Sequence, residues 1–198
     1  MKKLNIFFIL IIFIFHNSLQ AYSADPKDFV KELVTDAIEK LSDKNLTDEE
    51  KSKFVEKVAL DNVDINALGL YTLGELRKSS KENDIISFKK VFEKYFLKSL
   101  TSRLSDYSSG RFEVIDSDKK SATYTIIKSR VLPNDGSPEI KIDWRIYTKD
   151  PEKPLIRDLI VEGLSMARVQ REEFTSILSS NNNDIKILIQ KLEEFLKN

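Results

Sequence analysis

The stretch Glu139-Ile140-Lys141-Ile142-Asp143-Trp144-Arg145-Ile146-Tyr147 (EIKIDWRIY, residues 139–147) alternates apolar and polar residues without a break. Ile140, Ile142, Trp144 and Ile146 fall on one face, and Lys141, Asp143 and Arg145 on the other. Successive side chains of a strand point to opposite faces, so this is a half-buried strand with one wet face. A parallel strand covered on both faces would read as a continuous apolar run instead. The segment therefore predicts an antiparallel sheet that packs a core on one side only.

Working outward, Pro133-Asn134-Asp135-Gly136-Ser137-Pro138 before it and Asp150-Pro151-Glu152-Lys153-Pro154 after it are turns. Residues 121–132 are rich in β-branched and aromatic side chains, with Tyr124 and Ile126 on one face. Residues 111–117 place Phe112 and Val114 on one face, and Asp116 to Lys120 reads as a turn. Leu155 to Val161 forms the fourth strand. The connections are too short for crossover helices, so the four strands are expected to form an antiparallel meander.

Helical periods flank this block. Phe29, Val30, Leu33, Ile38 and Leu41 follow Asp25-Pro26, a helix-start signal. Thr47 and Glu50 have capping-box spacing ahead of an apolar side expected from Phe54, Val55, Val58 and Leu60. Asp64 is placed to cap a short helix carrying Ile65 and Leu68. Ile85 to Tyr107 carries one broad stripe of Phe88, Val91, Phe92, Tyr95, Phe96, Leu100, Leu104 and Tyr107. Gly163 breaks the last strand, and two helices follow. The second is capped by Asp184 and is expected to turn Ile185, Leu188, Ile189, Leu192, Phe195 and Leu196 inward. The plan is helices, a sheet, then helices, in one α+β domain.

The N-terminus has a different character. Met1-Lys2-Lys3 is positive, Leu4 to Phe15 is almost wholly apolar, and His16 to Ala24 is a polar exit with small residues. These are the three parts of a secretory signal peptide. The apolar run is shorter than the ~20 residues a spanning helix needs. Ala21 and Ser23 place small residues three and one before a cut after Ser23, which leaves residues 24–198 as the mature domain. About 175 residues are enough to bury roughly 70% of the unfolded surface in one core.

Composition excludes much chemistry. The chain has 32 basic and 32 acidic residues, one His and no Cys. Loss of Lys2 and Lys3 with the leader makes the mature domain about two charges negative, which argues against a nucleic-acid footprint. His16 is the only histidine and lies in the leader. Without it there is no Ser-His-Asp or Cys-His nucleophile and no zinc site of His or Cys type. Gly163-Leu164-Ser165-Met166-Ala167 resembles a nucleophile turn, but Ser165 lacks a base, so the reading is a turn and a helix cap. Asp158 and Glu162 share a strand face four residues apart; a strand-end hydrogen bond is the simpler account than acid–base catalysis. No phosphate-binding glycine loop, calcium loop or dinucleotide fingerprint is present.

Several runs resemble a known family. Asp143 to Phe174 (DWRIYTKDPEKPLIRDLIVEGLSMARVQREEF), Ile177 to Glu194 (ILSSNNNDIKILIQKLEE) and Val63 to Ser80 (VDINALGLYTLGELRKSS) are similar to the MlaC family of periplasmic phospholipid-binding proteins. The pattern is carried by Asp158, Leu159-Ile160-Val161, Glu162-Gly163-Leu164-Ser165-Met166, Arg171 and Phe174. The resemblance implies an NTF2-like α+β fold, a four-stranded antiparallel sheet packed by several helices around an apolar cavity. It implies a soluble, monomeric periplasmic carrier, with phospholipid as transported ligand and neither cofactor nor metal. The implied partners are an inner-membrane ABC transporter with an MCE-domain subunit and an outer-membrane lipoprotein complex, with transient membrane contact.

Such a carrier has a physical rationale. Each exposed methylene costs about 0.8 kcal/mol, so two tails with roughly 30 methylenes cost on the order of 24 kcal/mol in water. Apolar walls suffice to hide them, and no sharp polar motif is needed. The expected cavity residues are Leu68, Tyr71, Phe92, Phe96, Leu100, Tyr124, Ile142, Trp144, Ile146, Val161 and Leu164. Two other readings remain open. One is a cavity enzyme of similar shape. The other is an export-pathway adaptor whose groove takes a partner helix.

Overall fold

The computed structural model describes residues 21–104 and 110–197. Helix α1 (Pro26–Ser42) is followed by α2 (Asp48–Asn62), α3 (Ile65–Thr72), the one-turn α4 (Leu76–Ser79) and the long α5 (Glu82–Leu104). Strands β1 (Arg111–Ser121), β2 (Tyr124–Leu132), β3 (Ile140–Tyr147), β4 (Leu155–Val161) and the two-residue β5 (Leu164–Ser165) come next, then α6 (Met166–Ser179) and α7 (Ile185–Lys197). The α+β order follows the sequence pattern. Tyr107, expected on the long helix, and most of the expected leader lie outside the described residues. No described helix is long and apolar enough to cross a membrane.

The helix starts are chemically explicit. Asp25 accepts hydrogen bonds from the backbone N–H groups of Lys27 and Asp28 at 2.9 and 3.1 Å. The capping box forms, with Glu50 N–H donating to Thr47 Oγ1 at 3.3 Å and Thr47 N–H to Glu50 Oε2 at 2.8 Å. Asp64 caps α3 through Ala67 N–H at 3.1 Å. At the far end of the chain, Lys98 Nζ donates to the Phe195 and Leu196 carbonyls of the last turn of α7, at 3.3 and 3.2 Å. These carbonyls have no helical partner, and a cation there also suits the helix dipole.

The sheet is an antiparallel meander in the order β1-β2-β3-β4-β5. It has five strands rather than the expected four, because the chain does not simply leave the sheet at Gly163. Glu162 (φ 49°) and Gly163 (φ 82°) both take positive φ. Two such central residues make the tight hairpin turn whose twist matches antiparallel strands. The chain reverses, and Leu164 pairs with Val161. Asn-Gly or Asp-Gly normally signals this turn, and Glu-Gly concealed it. β1 also runs four residues past its expected end. A bulge at Ile115 lets Asp116 to Lys119 continue pairing with β2 where a turn was expected.

Register assigns every inner-face side chain, since directly opposed residues share a face. One row crosses all five strands: Val114, Ser129, Ile142, Val161 and Leu164. The next rows hold Ile127, Trp144 and Leu159, then Thr125, Ile146 and Ile156. α1 covers this second region, and its Phe29, Val30 and Leu33 join Ile127, Trp144, Ile146 and Ile156 in one core. A second core is purely helical, with Ile65, Leu73, Phe88, Phe92, Phe174, Leu178, Ile185, Leu188 and Leu192 from α3, α5, α6 and α7 and the turn after α3. Among the described residues, Val63 is the one side chain packed against both.

The helical layer is fastened to the sheet at Val63 and Asp64. Val63 bridges Ile156 in parallel, and Asp64 N–H donates to Ile156 O at 2.9 Å. Asp64 Oδ2 accepts from Arg157 Nη2 at 2.7 Å and Nε at 2.9 Å. The same guanidinium lies 3.4 Å above the Tyr147 ring. The outer sheet face is charged, as the alternation of β3 requires. Arg130 pairs with Glu113 and Glu139, and Lys128 with Asp116. The hydrogen bond from Arg130 holds the Glu113 carboxyl below its ordinary range. These groups are largely exposed, so they keep the face wet more than they stabilise the fold.

Candidate functional site

Burial across the inner face is graded. Ile146 and Ile127 are completely buried, and Trp144 and Ile156 nearly so. One row further, Ile142 and Val161 are half-buried, and Leu164 at the sheet edge is 62% exposed. Phe112, Val131 and Ile140 continue this apolar surface at the same end, all half-buried. α1 therefore seals one end of the inner face and leaves the other end thinly covered. An apolar surface that is left thinly covered while neighbouring rows are sealed marks a place for a ligand or partner.

The eleven expected cavity residues divide along this geometry. Phe92 is buried in the helical core, with Phe96 stacked on it at 6.3 Å. Leu68 is half-buried against the same core, and Leu100 is half-buried one turn beyond Phe96. Ile142 and Val161 stand side by side on the thinly covered end of the sheet, with Leu164 at their rim. Trp144 and Ile146 share that face but are packed under α1 as core. Trp144 is also pinned, its Nε1 donating to Ser129 Oγ at 2.9 Å while Ser129 donates to Ile142 O at 2.8 Å.

Two of the eleven lie elsewhere. Tyr124 is on the outer face, because Ile127 opposes Trp144 and so turns Thr125, Ile127 and Ser129 inward. It borders an open cleft of about 420 Å³ with Ile126, Ile160 and charged residues including Lys128, Asp143 and Arg145. Both faces of β2 carry apolar residues, so alternation alone did not choose between them. Tyr71 is 37% exposed and lies 5.2 Å from the Arg171 guanidinium, in a polar cleft of about 330 Å³ shared with Arg168, Glu172 and Thr175. Conversely, Phe112, Val131 and Leu159 belong to the inner face and were not singled out. The signal that identifies them is strand register, which one sequence shows only after pairing is known.

The Glu-Gly-Leu-Ser segment is a structural clamp beside this surface. Ser165 Oγ accepts from Arg168 N–H at 3.1 Å, capping α6, and donates to Asp158 Oδ2 at 2.6 Å. Asp158 Oδ1 accepts from Ala167 N–H at 2.9 Å. Glu162 points elsewhere, accepting from Lys141 N–H at 2.5 Å, so the two carboxylates do not form an acid–base pair. Replacing Ser165 with Ala should cost about 1–2 kcal/mol, one cap plus one hydrogen bond to a carboxylate, read as a lower urea midpoint. A lost hydrolytic activity at unchanged stability would contradict this assignment. Among the described residues, no group of three or more Asp, Glu, His or Cys is placed to hold a metal ion.

An antiparallel sheet with one charged face, and an apolar inner face only partly sealed by helices, defines an α+β protein built around that inner face. A family model described as MlaC protein matches residues 31–194, and the chain belongs to that family. Among solved structures, the chain is similar to the phospholipid-binding protein from Ralstonia solanacearum, determined in complex with a phospholipid. The TM-score is 0.70 at 16% sequence identity, over 85% of this chain and 94% of that one. At that identity the likeness is one of fold. No curated protein matches this sequence.

Proposed function

We propose that this protein is an exported phospholipid carrier. Its cargo's acyl chains lie between the thinly covered end of the sheet and the helical layer. Ile142 and Val161 form the sheet wall, Phe96, Leu100 and Leu68 the helical wall, and Leu164 the rim. The observation that carries the reading is the burial gradient along one continuous apolar face, sealed under α1 and thinly covered beyond it. Membership of the MlaC family and the phospholipid held by the Ralstonia protein support it.

The remaining expectations form part of the same proposal. A leader directs the chain to the periplasm and is removed, leaving a single monomeric domain. That domain takes lipid between an outer-membrane complex and an inner-membrane MCE-type transporter. The residues of this surface bind and shield the acyl chains. The test is native mass spectrometry of the protein purified from a periplasm, followed by solvent extraction. A discrete adduct of phospholipid mass, matched by extracted lipid, is expected. A lipid-free protein that also fails to load from liposomes would overturn the reading. A stable protein complex without lipid would favour an adaptor instead.

A further inference from the structure

Tyr22 and Ser23, which small-residue spacing around Ser23 assigns to the leader, make contacts with the folded domain. Tyr22 is half-buried, and its hydroxyl donates to Asp36 Oδ2 at 2.7 Å. Its ring packs edge-on to Phe29 at 6.2 Å, and the side chain lies against the core between α1 and the sheet. Ser23 N–H donates to Glu32 Oε2 at 2.8 Å, and Ser23 Oγ accepts from Asp25 N–H at 3.1 Å. Asp25 in turn caps α1, the helix that seals the inner face. Two residues that sequence spacing assigns to the discarded leader are thus fastened to the helix the domain depends on.

Electrostatics points the same way. Any cut creates a new α-ammonium at the first retained residue. A cut after Ser23 puts that charge on Ala24, next to the α1 cap, and a cut after Ala24 puts it on the cap itself. The N-terminus of a helix already carries partial positive charge, so both placements are unfavourable. A start at Tyr22 moves the charge away from the helix end, to the residue beside Ser23, whose own N–H is held by Glu32. Asp36 lies on the same residue's side chain. Burial first, then the Asp36 hydrogen bond and the negative charges of Asp36, Asp61 and Glu32, raise the Tyr22 phenol above its ordinary range. Ala21 supplies a small residue immediately before the cut, while the position three before it is the larger Leu19, so the choice of this bond rests on the contacts of Tyr22 and Ser23.

We propose that the mature chain begins at Tyr22, the leader peptidase hydrolysing the Ala21–Tyr22 bond so that Tyr22 and Ser23 stay as the strap that holds α1. Water adds across that peptide bond. Ala21 leaves with the leader as a carboxylate, and Tyr22 gains the α-ammonium. The proposal rests on the export reading above, and its test separates the two.

The full chain is expressed with its own leader in a Gram-negative cell, and the product is read by intact mass and N-terminal sequencing. A periplasmic protein starting Tyr-Ser-Ala-Asp-Pro is expected. A start at Ala24 or Asp25 overturns this proposal and leaves export intact. A chain that keeps Met1 overturns this proposal, and overturns export as well if it is recovered from the cytoplasm. Independently, the domain starting at Tyr22 should melt several degrees above the domain starting at Ala24. Equal melting temperatures would show that the strap contributes nothing, and would remove the structural ground for the proposal.

Discussion

Asp158→Ala is expected to lower the stability of the domain by about 3 kcal/mol. The carboxylate is almost fully buried, its side chain 2% exposed, and it joins three elements. It accepts the Ser165 hydroxyl and the Ala167 N–H at the start of α6, and faces Arg145 Nη1 of β3 at 3.5 Å. Alanine leaves the N–H and the hydroxyl without their acceptor, each costing about 1–3 kcal/mol where water cannot replace it. It also removes a negative charge from a helix N-terminus, worth a further 0.3–1 kcal/mol or about that. Arg145 is 41% exposed and can return to water, so the ion pair itself contributes little. For a domain of this size the melting temperature should fall by roughly 6–12 °C. Asp158→Asn keeps one carbonyl oxygen for Ala167 and should lose less than half as much. An Asp158→Ala midpoint within about 0.5 kcal/mol of the parent would refute the clamp.

Ile142→Trp and Phe96→Trp are expected to empty the protein of lipid while leaving it folded. Ile142 stands in the row where burial begins to fail, and Phe96 lies on the helical side, stacked at the edge of the Phe88–Phe92 aromatic group. Each substitution adds volume to the space assigned to acyl chains. Overfilling a packed site costs about 1–3 kcal/mol, which corresponds to a roughly ten- to hundredfold loss of loading. The control is Tyr124→Trp on the opposite face, where the structure leaves loading unchanged. Phospholipid extracted per mole of folded protein is the measurement. Full occupancy in both inner-face variants, with native melting temperatures, would remove the site from the sheet–helix gap. Lost loading in Tyr124→Trp alone would move it to the outer face.

The pattern of residues 139–147 identified the sheet because one face is apolar at every second position and the other is charged at every second position. Nothing comparable existed for β2. Tyr124 and Ile126 are as apolar as Ile127 and Val131, so either face was an acceptable inside until pairing with Trp144 was known. Leu164 shows a different limit. It was read as an inward residue after a break, yet the Glu162–Gly163 turn returns it to the sheet as an exposed edge residue. Tyr71 shows a third: in a short helix with apolar residues all round, periodicity cannot say which one faces out. The caps at Asp25, Thr47 and Asp64 were legible because each is a contact between residues at most three positions apart.

By itself, the sequence determined the α+β class, the helix starts capped by Asp25, Thr47, Asp64 and Asp184 but not α4 or the Glu82 start of α5, the antiparallel meander, and the absence of cysteine and of any histidine but His16. Each follows from short-range spacing or composition. Only the tertiary structure decided which rows of the inner face α1 seals and that Asp158 clamps α6. It alone showed that two apolar cores share one side chain at Val63 and that Tyr22 is part of the fold. Those depend on pairs far apart in the chain, such as Ile142 with Val161 and Tyr22 with Asp36. Their meeting is set by register and packing, which no local pattern of residues encodes.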